Sequence, residues 1–432
     1  AANISISEVM YDDNENLGVE SSQTVGGCGP LLTQAGQEAR SLRQQVFEHV
    51  RGAGRATRAE VTRALSISPG SVTALTADLI AANMLREVEG PMRDGNRGRP
   101  PVALEVVPEG RRVIGIKVSD ERHSAVLTDF AGNMLADATL PIPSATKSPN
   151  ELLDEMDALI GLLLAQTPYE LSDINAVGIG LSGIVEHQTG TVIWSPLMSE
   201  REFNLKALFE ARFGVPVLID NDANVLTLAE LWFGVGRAMS DFAVVTIEHG
   251  VGMGLVLNNR LFRGSRGIGL ELGHTKVQLD GALCRCGQRG CLEAYLADYA
   301  LAREASTALG RNTRNLQSPH QLLESLYGRA KSGNFAARSI FQRAGRYLSV
   351  GLANVIQLFD PELIILSGER MRYEYLYADE VLTEMQSLTL TEGRSLARIE
   401  IHAWGDLVWA RGATALALIA VTEAALGEAR AG

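Results

Sequence analysis

The sequence predicts an α/β protein with an N-terminal winged helix-turn-helix head and a bilobed α/β body. Three observations carry that expectation. Residues 37–106 hold three successive helical patterns and then two short strand patterns around a Gly/Arg/Pro loop. From residue 111 onward strand and helix patterns alternate, beginning with three strands joined by short turns. From residue 223 the alternation repeats, which doubles the body.

Residues 1–36 are polar, contain Gly26-Gly27-Cys28-Gly29-Pro30, and are expected to be a flexible tail. In the head, residues 37–108, Leu42, Val46, Phe47 and Val50 recur at helical spacing until 52–56 breaks the pattern. Thr57 with Glu60 three residues on is a capping box for a second helix, whose apolar face is Val61, Ala64 and Leu65. The turn at 66–70 places Pro69 at the first position of a third helix, which carries Val72, Leu75, Leu79 and Ile80. Strands at 85–89 and 102–106 flank the wing loop. The first lobe, 109–222, has strands at 113–118, 124–129 and 134–140, an amphipathic helix at 149–166, and buried strands at 177–181 and 217–219. The second lobe, 223–432, has strands at 244–247, 253–257, 261–262 and 363–366 among several helices, and the last helix can pack back on the first lobe. Two such lobes entered through an antiparallel meander suggest an actin-like or sugar-kinase-like (ribonuclease H-like) body.

The chain has 432 residues and a net charge of −12, so no global basic field draws it to nucleic acid. The head differs: its 10 arginines against 8 acidic residues make it +2, a DNA-facing unit on an acidic body. Ser68, Ser71 and Thr73, at the start of the third helix, suit phosphate and base-edge contacts. Arg93, Arg97 and Arg99 in the wing loop suit phosphates or an A·T minor groove. No leader pattern and no run of about 18 apolar residues is visible, so a cytoplasmic protein without a membrane span is expected.

The strongest local motif is His274 followed by Cys284-Arg285-Cys286-Gly287-Gln288-Arg289-Gly290-Cys291. Three thiolates and an imidazole make a closed tetrahedral set for a structural zinc ion. Four protein ligands leave no open position for a catalytic water.

These residues also carry a resemblance. The run from Gly264 through Glu271-Leu272-Gly273-His274 to Cys291-Leu292-Glu293 is similar to the ROK family of repressors, open reading frames and kinases. So are Ile219-Asp220-Asn221-Asp222-Ala223-Asn224, Gly178-Ile179-Gly180-Leu181-Ser182-Gly183 with Thr189-Gly190, and 354–366. The head resembles that of ROK repressors at Thr57-Arg58-Ala59-Glu60, Leu65-Ser66-Ile67-Ser68, Ser71-Val72-Thr73 and Gly98-Arg99-Pro100-Pro101. The resemblance implies that Asn221, Asp222, Glu271, His274 and Glu293 contact sugar hydroxyls between the lobes. It further implies that the zinc loop orients Glu293, and that Asp222 stands at the position of the kinases' catalytic base.

The same resemblance exposes departures. The kinases' Asp-x-Gly-Gly-Thr phosphate turn is Lys117-Val118-Ser119-Asp120-Glu121 here, their Gly-Thr-Gly loop is Glu248-His249-Gly250, and their adenosine turn is Leu366-Ser367-Gly368-Glu369. Leu197 replaces an Asn that faces the sugar in the family pattern. The expected protein is therefore not an enzyme but a DNA-binding regulator of carbohydrate genes, a repressor acting as a homodimer or homotetramer on double-stranded operator DNA. A sugar or sugar-derived ligand would control it. The alternatives are an ATP-dependent sugar kinase with a fused head, and a sensor that also binds a protein partner.

Overall fold

The structure is a computed structural model that describes residues 26–31, 40–90, 101–143, 146–308, 319–368, 371, 379–390, 392, 397–402, 405 and 407–428. They divide into two compact units. The first holds the described residues up to 240, with 256–268 and the C-terminal helix; the second holds 241–255 and 269–405.

In the head, α1 (Leu42–Ala53), β1 (Ala56–Thr57), α2 (Arg58–Leu65), α3 (Pro69–Ala81), β2 (Leu85–Glu89) and β3 (Val102–Val106) follow in the expected order. The Thr57–Glu60 capping box is present in both directions and starts α2. Ser66, in the left-handed conformation at φ 53°, ends it. Ser68 then caps α3 by accepting from Ser71 N–H. The chain bends by 119° between α2 and α3, the crossing of a helix-turn-helix pair. Val46, Phe47, Val50, Val61, Leu65, Val72, Leu79 and Leu104 are buried, and the strands pair in the order β1-β3-β2.

The head is built into the first unit. Phe47 lies 5.3 Å from the Phe130 ring, and Arg51 donates to Thr422 Oγ1 at 2.8 Å. The body of this unit runs β4 (Arg112–Val118), β5 (Arg122–Asp129), β6 (Met134–Pro141), α4 (Pro149–Leu164), β7 (Ala176–Leu181), β8 (Ile184–Glu186), β9 (Thr191–Trp194), β10 (Phe203–Asn204), α5 (Leu205–Phe213), β11 (Val217–Asn221) and α6 (Asp222–Phe233). Its sheet has the order β11-β7-β4-β5-β6, with β11, β7 and β4 parallel and β4, β5 and β6 antiparallel.

The second unit holds β12 (Phe242–Ile247) and most of β13 (Val251–Leu257). After β14 (Arg260–Phe262), which clusters with the first unit, it continues with α7 (Glu293–Leu296), α8 (Asp298–Ala308), α9 (Pro319–Lys331), α10 (Phe335–Phe359), β15 (Leu363–Ser367), α11 (Asp379–Leu388) and β16 (Arg398–His402). Strand β15 lies between β12 and β16 and is parallel to both.

The last helix, α12 (Leu407–Glu428), belongs to the first unit. It crosses β4 and β7 at two glycines: a Cβ on Gly115 would stand 2.0 Å from Ala410 O, and one on Gly178 would stand 1.9 Å from Ala413 O. By length and composition alone α12 could cross a membrane, but most of it is buried in this fold. The first compact unit thus extends past Asp222, the expected lobe boundary, and keeps α6 and α12, because both pack on the first sheet.

One expectation needs correction. The sequence predicts a flexible tail through residue 36, yet within the described segment 26–31 Cys28, Gly29 and Pro30 are buried, Cys28 to 3% exposure. Its backbone is tied down by hydrogen bonds to Arg51, Trp232 and Arg237. The wing arginines Arg93, Arg97 and Arg99 lie outside the described residues.

Candidate functional site

The loop between β14 and α7 gathers the four proposed metal ligands. Their donor atoms all lie within 4.8 Å of one another. Cys286 Sγ is 3.7 Å from Cys291 Sγ, and Cys284 Sγ is 3.7 Å from His274 Nδ1. In a tetrahedron with zinc–sulfur bonds near 2.3 Å, sulfur–sulfur edges are about 3.8 Å and sulfur–nitrogen edges about 3.6 Å. The donor set therefore fits a small tetrahedral ion in both spacing and chemistry. Gly287 and Gly290, at φ 87° and 75°, take left-handed conformations that let eight residues return on themselves. Cys284 and Cys291 are buried and Cys286 is exposed.

Two further residues hold this cluster, and sequence reasoning missed both. Lys276 Nζ donates to Cys291 Sγ at 2.9 Å, and this bond to sulfur raises its pKa above the ordinary lysine value. Tyr299 hydroxyl lies 3.4 Å from both Cys284 Sγ and Glu293 Oε1. Burial pushes the Cys284 thiol up as well, so a bound cation is what would favour its thiolate. Lys276 stands two residues after His274 in the sequence, but no local spacing marks Tyr299.

The expected hydroxyl-binding residues fall into two sets. In the second unit, His274 turns Nδ1 toward Cys284 and Nε2 toward Glu271, whose Oε2 is 4.0 Å away. Glu293 starts α7, accepts from Val251 N–H at 3.3 Å and faces Gly250. In the first unit, Asn221 caps α6 and Asp222 opens it. Asn221 is largely spent on structure: Oδ1 accepts from Ala223 N–H at 2.8 Å, and Nδ2 donates to Gly183 O at 2.7 Å. Asp222 accepts from Ser182 Oγ–H and from Ala223 N–H. Beneath them the fully buried Asp220 accepts from Arg263 Nε–H at 2.7 Å and Asn224 Nδ2–H at 2.7 Å, so the loop is braced from below. Leu197 packs against the hydrophobic core of this unit.

The phosphate-loop positions are filled by protein groups. Lys117 is buried with its ammonium 3.9 Å from the centre of the Trp409 ring. The amide of Ser119, which a phosphate turn would present to ligand, donates to His123 Nδ1 at 3.2 Å. His123 in turn meets Glu155 at 2.9 Å, and Lys147 meets the same oxygen at 2.7 Å. His249 pairs with Asp298 at 3.0 Å.

In the head, Ser68, Ser71 and Thr73 are exposed at the start of α3, along with Ala74 and Ala77. Their hydroxyls bond locally, Ser68 Oγ to Ser71 Oγ at 2.9 Å and Thr73 Oγ1 to Pro69 O at 2.9 Å. Small side chains leave that face of α3 free to approach a groove closely.

The ROK family pattern matches residues 113–419. A putative xylose repressor of Caldicellulosiruptor sp. (strain Rt8B.4) is 26% identical over 371 residues, spanning 84% of this chain and 91% of that protein. The crystal structure of a ROK family transcriptional regulator, a homolog of the E. coli MLC protein, superposes with a TM-score of 0.72 at 24% identity, covering 89% of this chain and 96% of that one. A ROK family glucokinase from Streptomyces griseus, in complex with glucose and AMPPNP, is 28% identical with a TM-score of 0.60 and covers 71% of this chain and 98% of that one. The family match spans well over half the sequence, and the sugar-kinase-like fold accompanies it. The chain belongs to the ROK family.

Proposed function

We propose that the protein is a DNA-binding transcriptional repressor of carbohydrate genes, governed by a sugar-class ligand. The observation that carries this reading is the head. A helix-turn-helix with its 119° bend and an exposed small-residue face on α3 is fused to the first lobe through α1 and α12. The glucokinase match leaves a quarter or more of the chain uncovered, whereas the repressor match reaches 84%. The filled phosphate-loop positions at Lys117 and Ser119 argue in the same direction.

In this reading α3 enters the major groove, with Ser68, Ser71 and Thr73 near base edges and phosphates, and Arg93, Arg97 and Arg99 follow the wing to the backbone or minor groove. A single head offers few contacts, so a homodimer or homotetramer on two half-sites is the expected DNA-bound form. Zinc held by His274, Cys284, Cys286 and Cys291 supplies folding energy and fixes the loop that carries Glu271 and Glu293. With Asn221 partly committed to capping, Asp222, Glu271, His274 and Glu293 provide the acceptors and donors for ligand hydroxyls. The working compartment is the cytoplasm, where DNA and the ligand meet.

The test is in vitro selection of random duplexes by the full chain, with and without a panel of sugars, sugar acids and sugar phosphates. The expected result is an enriched inverted repeat whose retention changes with one member of the panel. No enrichment over non-specific binding, together with ATP-dependent turnover of a sugar, overturns the reading in favour of a kinase.

A further inference from the structure

Residues 26–31 run along the junction of the head helix α1 with α6 and the turn after it. Cys28 N–H donates to Arg51 O at 3.1 Å, Gly29 N–H to Trp232 O at 2.9 Å, and Leu31 N–H to Arg237 O at 2.8 Å. Approach this close needs glycine, because a Cβ on Gly27 would lie 1.8 Å from Arg51 O. The segment walls one side of a cavity of about 340 Å³, lined also by Gly132, Asn133, Met134, Phe233, Arg237 and Arg411.

Three guanidiniums surround the Cys28 thiol here. Arg51 is 3% exposed and lies 4.4 Å from the Trp232 ring centre, and its Nε has no hydrogen-bond partner. Arg237 donates to Gly29 O at 3.0 Å and to Gly52 O. Arg411 stacks 4.3 Å from the Phe233 ring centre and lines the cavity, and its buried Nε is also without a partner. No ion pair joins any of the three to a carboxylate among the described residues. Asp129, at the end of β5, is committed to the Asn133 amide and side chain at 3.0 and 2.9 Å. The Cys28 thiol does not compensate, since burial pushes its pKa up and keeps it neutral. Arginine stays protonated at physiological pH even where burial opposes it. Glu48 acts on Arg51 but is paired with Arg40, and Asp129 is already committed, so among the described residues the two cavity-lining cations, Arg237 and Arg411, have no ion pair to offset their burial.

We propose that this cavity is a second small-molecule site, separate from the sugar-class site, and that it takes a phosphate or phosphomonoester through Arg411 and Arg237. Its walls join the N-terminal segment, whose Cys28 N–H is bonded to Arg51 O of α1, to the turn between β5 and β6, the end of α6 and α12, so the bound oxyanion braces the head against the lobe that carries it.

The experiment is equilibrium dialysis of the full chain with inorganic phosphate, and separately with glycerol phosphate, at constant ionic strength set by chloride. One saturable equivalent per chain is expected. Arg411→Gln should weaken binding by about tenfold or more, the loss of a charge-assisted pair of hydrogen bonds. Met134→Glu, at an exposed position on the cavity wall, should weaken it without disturbing the core. Phosphate should also slow maleimide labelling of Cys28, read on its own peptide by mass spectrometry. Binding of glycerol phosphate tighter than inorganic phosphate identifies an ester as the source, and the reverse identifies free phosphate; either supports the site. No saturable binding, or binding undiminished in both variants, overturns it. So does binding that emerges only when Asp12, Asp13, Glu15 and Glu20 are neutralised, since the tail's own carboxylates would then be the occupant.

Discussion

Cys286 is the exposed member of the metal cluster, so a change there removes a ligand without opening the core. Cys286→Ser should drop the zinc content from about one per chain toward none and lower the melting temperature, since structural zinc binding is coupled to folding. Metal analysis of freshly purified protein, beside a melting curve for each form, decides it; a wild-type chain without zinc ends the proposal. A second residue-scale prediction concerns pH. Burial holds the His123 and His187 imidazoles below the ordinary value, and Lys147 and Arg263 add to the effect. Each stays neutral in the folded chain at a pH where the unfolded chain already binds a proton. The stability they contribute is present above the unfolded value near about 6.5 and is lost as pH falls below it, at up to about 1.4 kcal/mol per pH unit for each. Urea unfolding at several pH values should show this slope, reduced in His123→Gln. Stability that rises on acidification would contradict it.

Among the elements, α3 and the wing carry the nucleic-acid proposal. Ala74 is exposed on α3 and Ala74→Glu is well tolerated by a helix, so a loss of DNA affinity in that variant reports contact rather than unfolding. A carboxylate facing phosphates should weaken operator binding by about tenfold or more. Arg97→Ala with Arg99→Ala should reduce the log–log salt slope by about 0.9 for each phosphate that is no longer neutralised. Operator affinity unchanged in both sets of variants would remove the head from the interface. These elements are legible in the sequence because their signals are local. The Thr57–Glu60 box, the Ser66 turn and Pro69 at the helix start each act within one turn of chain, and the helices begin and end where those residues place them. The small strands β8, β9 and β10 escape such reading, because two to four residues carry too little periodicity.

At the scale of the whole molecule, the chain should not phosphorylate sugars. Lys117 against Trp409 and the Ser119–His123 bond occupy the turn where ATP phosphates would need free backbone donors. A screen of hexoses and amino sugars with ATP should find no turnover in the ordinary enzyme range of about 1–10³ s⁻¹. Any ligand found instead should shift operator affinity by roughly 5–150-fold, the usual reach of allosteric coupling. That shift should disappear in Asp222→Ala and Glu271→Ala; if both variants respond as wild type does, the ligand binds elsewhere.

What the sequence determined by itself was everything set by neighbours in the chain: the helix caps, the meander, and a His and three Cys whose chemistry names a metal before any fold is known. Even there, the 3.7 Å edges of the cluster depend on Gly287 and Gly290 in conformations that spacing only permits. Tertiary structure alone decided the rest. Arg51, Arg237 and Arg411 are scattered through the sequence and look like surface charges, yet they meet around Cys28 because α1, α6 and α12 pack together. Asn221 reads as a free polar side chain until Gly183 O and Ala223 N–H take up its amide. The sequence allows helix α12 to pack back on the first lobe, but what seats it there is the groove that Gly115 and Gly178 open on the first sheet, which only a close-packed helix can fill. Packing between segments hundreds of residues apart rests on shape and burial, which no local pattern encodes.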